Sequence, residues 1–196
     1  MLHLNFTDFS LIEQLVLPDV PGCPRASVSD MAALVVSGFC EVTQCYREEI
    51  KLEADGNLVD FELVSPQAEA VVIGVFSVKD KFRDFLPGDY AAHSSNIITF
   101  SSPPSNDMAA IVILKTKVNA KSVPSSIIQR WADVIAKGVR YRLMAMPEKP
   151  WSNPSLASYY RNEFDADTLK ISADVVNQFS VVRKGRAKRN HSFYGV

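Results

Sequence analysis

Few side chains in this sequence could act as acids, bases or nucleophiles, and those few are scattered. Of the three histidines, His3 and His191 lie within six residues of an end of the 196-residue chain. A general base must be held at hydrogen-bond distance from the proton it removes, which a chain end does poorly. The third, His93, lies in the stretch DYAAHSSN, which we expect to be a solvated loop. Because Ser94 and Ser95 beside it lack the G-x-S-x-G context of a nucleophile elbow, no catalytic site is indicated there.

Three carboxylates follow one another at every second position, at Glu163, Asp165 and Asp167. Side chains two apart on a helix point in different directions, so we expect these to diverge towards solvent rather than form an acid–base pair. The chain also has no glycine-rich phosphate loop and no histidine or cysteine pair at metal-ligand spacing. The sequence therefore predicts a protein that is not an enzyme and that holds no cofactor or metal.

The three cysteines, Cys23, Cys40 and Cys45, are odd in number and form no C-x-x-C pair. We expect them to be buried thiols in a reducing compartment rather than disulfide partners or zinc ligands. The N-terminal stretch MLHLNFTDFSLIEQL has acids where a secretory signal has a basic start. No run approaches the roughly 18 consecutive apolar residues of a membrane span. We therefore expect neither export by that route nor a membrane partner.

The formal net charge of −1 conceals a strong asymmetry along the chain. Five basic residues and no acid lie in the last 14 positions: Arg183, Lys184, Arg186, Lys188 and Arg189. The rest of the chain keeps 16 of the 21 basic residues against all 22 acidic ones. We expect the basic end to be a flexible arm that orders only against a partner. Three interpretations stay open: a solvated end, a contact with nucleic acid, or docking into a protein groove with Phe193 and Tyr194 as anchors.

A rigid turn and a helix are predicted near the start of the chain. The stretch LPDVPGCP has three prolines and one glycine in eight residues, which forbids helix and redirects the chain. Ser27 is then a plausible N-cap, with Asp30 three residues later. Apolar residues recur at helical spacing after it: Met31, Leu34, Val35, Gly38, Phe39 and Val42. The pattern predicts a helix from Ser27 to Tyr46.

From residue 48 to residue 120 the composition favours strands. The turn Asp55-Gly56-Asn57 lies between an apolar pair, Ile50 and Leu52, and the run Leu58–Val64, which predicts a hairpin. Further strands are predicted from runs rich in Val, Ile, Phe and Thr: Ala70–Val78, Asn96–Phe100 and Ala109–Val118. These runs predict an antiparallel β-sandwich or partial barrel.

Two long helices with a stiff connector are predicted after the strands. The first runs from Pro124 to Met146, with an apolar stripe that comprises Ile128, Trp131, Ile135, Val139, Leu143 and Met146. The second begins where Asn153 can cap it and Pro154 can occupy its first turn, and its apolar face comprises Tyr160, Phe164, Ile171, Val175 and Phe179. The joint between them contains Pro147, Pro150 and Trp151, and we expect Trp151 to pack and fix the angle of this helical hairpin.

Together these patterns predict an α+β fold with three parts. A helical bundle is formed by residues 1–47 and 121–180, with the long C-terminal helical hairpin and an N-terminal helix. Residues 48–120 form the inserted antiparallel β domain, and residues 181–196 form the basic C-terminal arm.

Two stretches resemble the adaptor proteins of tailed bacteriophages, the head-to-tail connectors found especially in short-tailed phages. One is LPDVPGCP leading into a helix that ends FCEVTQCYRE, and the other is RLMAMPEKPWSNPSLASYYRNEF. The resemblance covers roughly residues 15–48 and 124–167. The β region and the basic end carry no motif of that family.

The resemblance implies a structural protein of the virion neck, assembled in the host cytoplasm. Such adaptors form a ring, usually of twelve copies, between the portal protein and the tail nozzle protein. The ring lines part of the channel through which double-stranded DNA is retained and ejected. The resemblance also implies that the helical part builds the ring, the β part faces the tail and the C-terminal arm docks on the portal. The charge of that arm alone supports a different class, a small nucleic-acid-binding protein.

Overall fold

In the computed structural model, which describes residues 5–86, 88–94 and 96–184, helices on either side enclose a central run of antiparallel strands. The α+β class predicted from the sequence is confirmed. In chain order the elements are β1 (Phe6–Thr7), α1 (Ser10–Val16), a 3-10 helix (Leu17–Asp19), α2 (Arg25–Thr43), β2 (Arg47–Leu52), β3 (Asp60–Glu62), β4 (Ala70–Asp80), β5 (Asp84–Phe85), β6 (Tyr90–Ser94), β7 (Ile97–Phe100), β8 (Met108–Thr116), β9 (Val123–Pro124), α3 (Ser125–Met144) and α4 (Pro154–Lys184).

Helix α2 lies at the centre of the fold, where it contacts α1, α3, α4 and β8. Its mean hydropathy reaches 1.3, so by length and composition alone it could span a membrane. Half of the apolar window is buried inside the fold, as in the core helix of a globular domain. Val28, Val35 and Val36 are fully buried, but Leu34 and Val42 from the predicted apolar stripe are exposed. The stripe therefore faces the core only in part.

The predicted start of this helix is wrong by two residues, and the predicted end by three. Pro24 is the N-cap in an extended conformation, and Ser27 already lies inside the first turn, where its N–H bonds the carbonyl of Pro24 at 3.0 Å. A proline just before a helix fixes the backbone and lacks a donor, so it defines the start without a side-chain cap. At the other end Gln44 has φ +52 and donates to the Cys40 carbonyl at 2.9 Å, which closes the helix in a left-handed turn.

Among the described residues, the strands between 47 and 116 form two antiparallel sheets. One has the order β2-β8-β4-β5 and the other the order β3-β7-β6. Phe100 of β7 packs edge-on against Phe61 of β3, at 5.6 Å between ring centroids, and against Phe85 of β5, at 5.3 Å. Phe85 belongs to the first sheet and Phe100 to the second, so this aromatic cluster joins the two sheets. A shorter pair, β1 with β9, lies next to α3.

Two sequence predictions for the β region are wrong. The segments either side of Asp55-Gly56-Asn57 do not pair with each other, because β2 pairs with β8 and β3 pairs with β7. Gly56 is not at positive φ, so the turn lets the chain cross between sheets and closes no hairpin. The stretch around His93 is not a loop throughout, since Tyr90–Ser94 forms β6 and pairs with β7.

Helices α3 and α4 pack antiparallel. Arg140 of α3 meets Tyr160 of α4, whereas Lys137, one turn earlier, meets Asp167 further along. The stripe of α3 is buried at Ile128, Ile135, Val139 and Leu143, in agreement with the sequence prediction. Helix α4 continues to Lys184, so residues 181–184, predicted to belong to the arm, are helical.

The β unit is fixed to the helices near the middle of α2. The Ser37 hydroxyl of α2 donates to the Thr116 carbonyl of β8 at 2.6 Å. The Glu69 carboxylate, just before β4, accepts the backbone N–H groups of Lys121 at 2.7 Å and Ser122 at 2.9 Å. The Ser122 N–H lowers the pKa of Glu69 by favouring its charged form. These bonds hold the start of β4 against the segment that leads into α3.

Candidate assembly surfaces

The joint between α3 and α4 is closed by backbone hydrogen bonds between the helix ends. The Asn153 N–H donates to the Met144 carbonyl at 2.9 Å, and the Ser152 N–H donates to the Lys149 carbonyl at 2.9 Å. Glu148 has φ +59, which reverses the chain between Pro147 and Pro150. A left-handed residue between two prolines leaves the backbone few alternatives. The connector is therefore a defined turn.

The residues that begin α4 act as the sequence predicts. The Asn153 side-chain oxygen accepts the Leu156 N–H at 3.1 Å, and the Asn153 carbonyl accepts the Ala157 N–H at 2.8 Å. Pro154 is the first residue of α4. This is the N-cap and first-turn arrangement that satisfies the free N–H groups of a helix start. The predicted cap is confirmed.

Trp151 is half-buried and packs against the core, as predicted. Its indole Nε1 is buried without a hydrogen-bond partner among the described residues. An unpaired buried N–H costs about 1–3 kcal/mol. The indole is therefore packed into the joint at the cost of one unpaired donor.

Arg140 joins the two stretches that carry the resemblance to phage adaptors. Its Nε donates to the Asp19 carboxylate at 2.6 Å, and one terminal nitrogen donates to the Leu15 carbonyl at 2.6 Å. Its guanidinium carbon also lies 5.3 Å from the ring centroid of Tyr160. Asp19 belongs to LPDVPGCP and Tyr160 to the second stretch. The sequence analysis did not single out Arg140, because nothing in a single sequence shows which arginine the turn will meet.

Lys137 binds two carboxylates of α4 from the neighbouring helix. Its Nζ lies 2.7 Å from Asp167 and 3.3 Å from Glu163, and the bond to Asp167 contributes most to raising the pKa of Lys137. Asp165 points elsewhere and pairs loosely with Arg161 at 3.7 Å. The expected divergence of the three carboxylates is thus wrong for Glu163 and Asp167, since residues four apart share a helix face.

A groove runs between the outer faces of α2 and α4. We call it the α2–α4 groove; it is lined by Gly38, Phe39 and Val42 of α2, by Asp165, Thr168 and Leu169 of α4, and by Arg142 of α3. Its volume is about 440 Å³. Leu169 is 67% exposed and Val42 53% exposed, and a Cβ atom added at Gly38 would meet no atom outside its own helix backbone within 4 Å. The Thr168 hydroxyl is buried with no hydrogen-bond partner among the described residues.

At the far end of the β unit, the connection between β4 and β5 presents an aromatic side chain. We call Lys81, Phe82 and Arg83 the Phe82 tip; Phe82 is 75% exposed. The Asp80 carboxylate accepts the N–H groups of both Phe82 and Arg83 at 2.7 Å, and these bonds lower the pKa of Asp80. The Asp80 N–H donates to the Arg83 carbonyl at 2.9 Å. The tip is therefore a hydrogen-bonded turn that holds Phe82 outward.

The residues of the predicted portal-docking arm are mostly outside the described part of the chain. Arg183 and Lys184 lie in the last turn of α4, and their side chains are outside the description. Arg186, Lys188, Arg189, Phe193 and Tyr194 fall beyond residue 184. Their docking role stays a prediction.

The described cysteines form no metal site. Cys23 and Cys40 are buried, as predicted, and Cys45 is half-buried. A hydrogen bond from the Cys40 thiol lowers the pKa of Cys45. Within residues 5–86, 88–94 and 96–184, no group of three or more His, Cys, Asp or Glu side chains is placed to hold a metal ion.

Comparison with known proteins identifies no family for this chain. No protein-family model matches the chain, and no curated protein matches it significantly.

Proposed function

We propose that this chain is the subunit of an adaptor ring that connects the portal of a tailed bacteriophage to its tail nozzle. In this role twelve copies form part of the channel that retains the genome and passes it on ejection. The chain acts as a structural protein of the virion neck and performs no catalysis.

One observation carries the proposal: Arg140 contacts both of the stretches that resemble phage adaptors. They are 121 residues apart at the Asp19–Arg140 bond, yet Arg140 contacts Asp19 and Leu15 of the first and Tyr160 of the second. Residues that act together in one packed unit are expected to meet in space in this way.

The stiffness of the helical unit also supports a role in a ring. A heterologous contact closes a ring only if each copy is rotated from the next by a fixed angle. Lys137 ties α3 to α4, and the Asn153–Met144 hydrogen bond closes their joint. A unit built this way can hold one angle in every copy.

The experiment is electron microscopy of the full chain mixed with the portal protein of the same genome. We expect a second symmetric ring stacked on one end of the portal ring. A variant without residues 185–196, which leaves α4 intact to Lys184, should fold with the same circular dichroism spectrum and bind no portal. The arm is expected to supply the charges and aromatic anchors for docking.

Three outcomes separate the alternatives. Normal portal binding by the shortened chain contradicts the docking role of the arm, and absence of any ring with the full chain contradicts the adaptor role. Affinity for duplex DNA that falls steeply between low and moderate salt, and is lost with residues 185–196, favours the nucleic-acid-binding alternative.

A further inference from the structure

Two cysteine thiols meet where α2 ends, although the sequence contains no C-x-x-C pair. Cys40 lies in the last turn of α2, and Cys45 directly follows Gln44, the left-handed residue that closes the helix. We propose that Cys40 and Cys45 form a reversible thiol–disulfide pair, in which Cys45 attacks a small-molecule disulfide and Cys40 then displaces the half that stays bound. This inference goes beyond the proposed function and does not depend on it.

The geometry of the helix end brings the two side chains together. The Gln44 N–H donates to the Cys40 carbonyl at 2.9 Å, and Gln44 has φ +52. A left-handed residue at a helix end turns the chain back, so that the next residue contacts the last helical turn. Here that residue is Cys45, whose sulfur accepts a hydrogen bond from the Cys40 thiol. The contact depends on this turn, which a spacing of five positions alone does not reveal.

A positive charge is fixed beside the pair. The Arg47 Nε donates to the Gln44 carbonyl at 2.9 Å, and the guanidinium carbon of Arg47 lies 3.9 Å from the ring centroid of Phe76. These two contacts hold the guanidinium two residues from Cys45. Reactive cysteines are found in such electropositive, partly exposed surroundings.

The acids nearest to Cys45 along the chain have partners of their own. Glu48 accepts the Tyr46 hydroxyl at 3.0 Å, and Glu41 lies 2.9 Å from the Nζ atom of Lys115. A carboxylate close to a thiolate would disfavour its charge. The hydrogen bonds of these two acids therefore leave Arg47 as the charged group that acts on Cys45.

The two thiols differ in exposure and in acidity, and this difference assigns their roles. Cys45 is half-buried, whereas Cys40 is fully buried. The hydrogen bond from Cys40 lowers the pKa of Cys45, and Arg47 adds to this effect against the opposing effect of burial. The same hydrogen bond raises the pKa of Cys40, and burial raises it further. Because the thiolate is the nucleophile, Cys45 reacts first.

The two steps balance with the small disulfide as the only oxidant. The Cys45 thiolate attacks one sulfur of R–S–S–R, which breaks that bond and releases R–S⁻. The mixed disulfide removes the thiolate of Cys45, whose hydrogen bond raises the pKa of Cys40, so the Cys40 thiol can pass its proton to the released R–S⁻. The Cys40 sulfur then attacks Cys45 and releases the second R–S⁻, which takes up the proton that Cys45 had given to solvent. The two cysteines lose two electrons and two protons, and the small disulfide gains them.

Cys23 provides an internal control. It is buried, and burial raises the pKa of its thiol. It lies just before the start of α2, and the 19 residues of that helix separate it from the pair by about 28 Å. We therefore expect Cys23 to react slowly and to form no bond with either thiol of the pair.

Treatment of the full chain with oxidised glutathione tests the pair. The reduced chain is incubated with this disulfide, quenched with acid and mapped by mass spectrometry. We expect the unsubstituted chain to form a Cys40–Cys45 bond and to keep no glutathione. In Cys40→Ala the second step is blocked, so glutathione on Cys45 should be roughly tenfold more abundant. Cys45→Ala should form neither product, and Cys23→Ala should behave as the unsubstituted chain.

A second measurement needs no variant. Iodoacetamide labels each thiol at a rate that follows its thiolate fraction and its access to solvent. In the folded chain we expect Cys45 to be labelled roughly tenfold faster than Cys23, with a rate midpoint below pH 9.0, the ordinary pKa of a cysteine. Unfolding in urea should make the two rates equal, because it removes the hydrogen bond and the charge that act on Cys45.

The results decide whether the pair exists. Glutathione that persists on Cys45 of the unsubstituted chain would show that Cys40 does not displace it. Equal labelling of Cys45 and Cys23 in the folded chain would show that Cys45 is not activated. Either result, or a bond that includes Cys23, overturns the inference. Because these tests use the chain alone, failure of ring assembly on the portal would contradict only the adaptor role.

Discussion

At the scale of single residues, Arg140 joins α3 to the 3-10 turn and to α1. It is largely buried, with 17% of the side chain exposed, and it bonds a carboxylate and a carbonyl on the 3-10 turn and α1. A charged donor that bonds two oxygens in a partly buried site is worth more than a surface ion pair. Its loss would leave the Asp19 carboxylate without its partner.

We expect Arg140→Met to lower the free energy of unfolding by about 2 kcal/mol, the order of a hydrogen bond to a charged group. Arg161→Met is the matched control, since its pair with Asp165 is exposed on both sides at 3.7 Å and should contribute less than about 0.5 kcal/mol. Urea denaturation of the three proteins measures the difference. Equal losses in the two variants would show that Arg140 has no special role.

Asp80 gives the Phe82 tip a predictable dependence on pH. Its pKa is lowered below the ordinary value of 3.8 because the charged carboxylate accepts the N–H groups of Phe82 and Arg83. A lowered folded-state pKa means that the charge stabilises the turn above pH 3.8 and that this stabilisation is lost as the pH falls through the folded-state value.

The amide resonances of Phe82 and Arg83 should therefore shift together in a single transition with a midpoint below 3.8. Asp80→Asn keeps an oxygen acceptor without the charge, so this transition should disappear while the turn remains. Asp84→Asn removes the same charge on the adjacent strand and should leave the transition in place. A transition that persists in Asp80→Asn would assign it to another group.

At the scale of elements, the joint between α3 and α4 is expected to matter more for assembly than for folding. Trp151 is half-buried, so Trp151→Ala should cost about 2 kcal/mol in the monomer, less than a fully buried tryptophan. That loss corresponds to a fall of roughly 4–8 °C in Tm for a chain of this size. Ring formation on the portal should fall much further, because the joint sets the angle between helices.

Differential scanning calorimetry and counts of portal-bound rings measure the two effects on the same preparation. Trp151→Phe is the control, since it keeps an aromatic ring in the joint while it removes the smaller ring of the indole with the N–H that is unpaired in the described residues. Losses of equal size in monomer stability and in ring formation for Trp151→Ala would contradict a special role in assembly.

The elements that could be predicted from sequence are those whose signals are local. Asn153 and Pro154 begin α4 because a cap needs only neighbouring residues. The pairing of β2 with β8 joins segments about 60 residues apart, and an Asp-Gly turn cannot reveal that. Strand partners depend on packing across the whole unit, which explains the wrong hairpin.

The candidate surfaces were predictable only in part, for a similar reason. The apolar stripe of α2 was visible in the sequence, but periodicity cannot tell a face buried in the monomer from one that stays uncovered. Leu34 and Val42 belong to that stripe and are exposed. The Phe82 tip carries no periodic signal at all, and its outward display follows from the hydrogen bonds of Asp80.

At the scale of the whole molecule, the uneven distribution of charge along the chain fits the proposed function. Apart from the last 14 residues, the chain has 22 acidic and 16 basic residues. A surface with this excess of negative charge repels DNA, so a ring built from it can let a genome slide without gripping it. The basic residues that could bind DNA or an acidic partner are concentrated at one end.

Because α4 is long, a small change of angle at the joint near Trp151 displaces the far end of the helix by a large distance. The helix has 31 residues and is therefore about 46 Å long. A swing of one degree at the joint would displace its far end by about 0.8 Å, simply from that length. If a two-degree change in this angle were repeated in each of twelve copies, it would accumulate to roughly 24° around the ring. That is close to the angle that relates one copy to the next. The precision of the angle between α3 and α4 would then decide whether the copies close into a ring or open into a spiral.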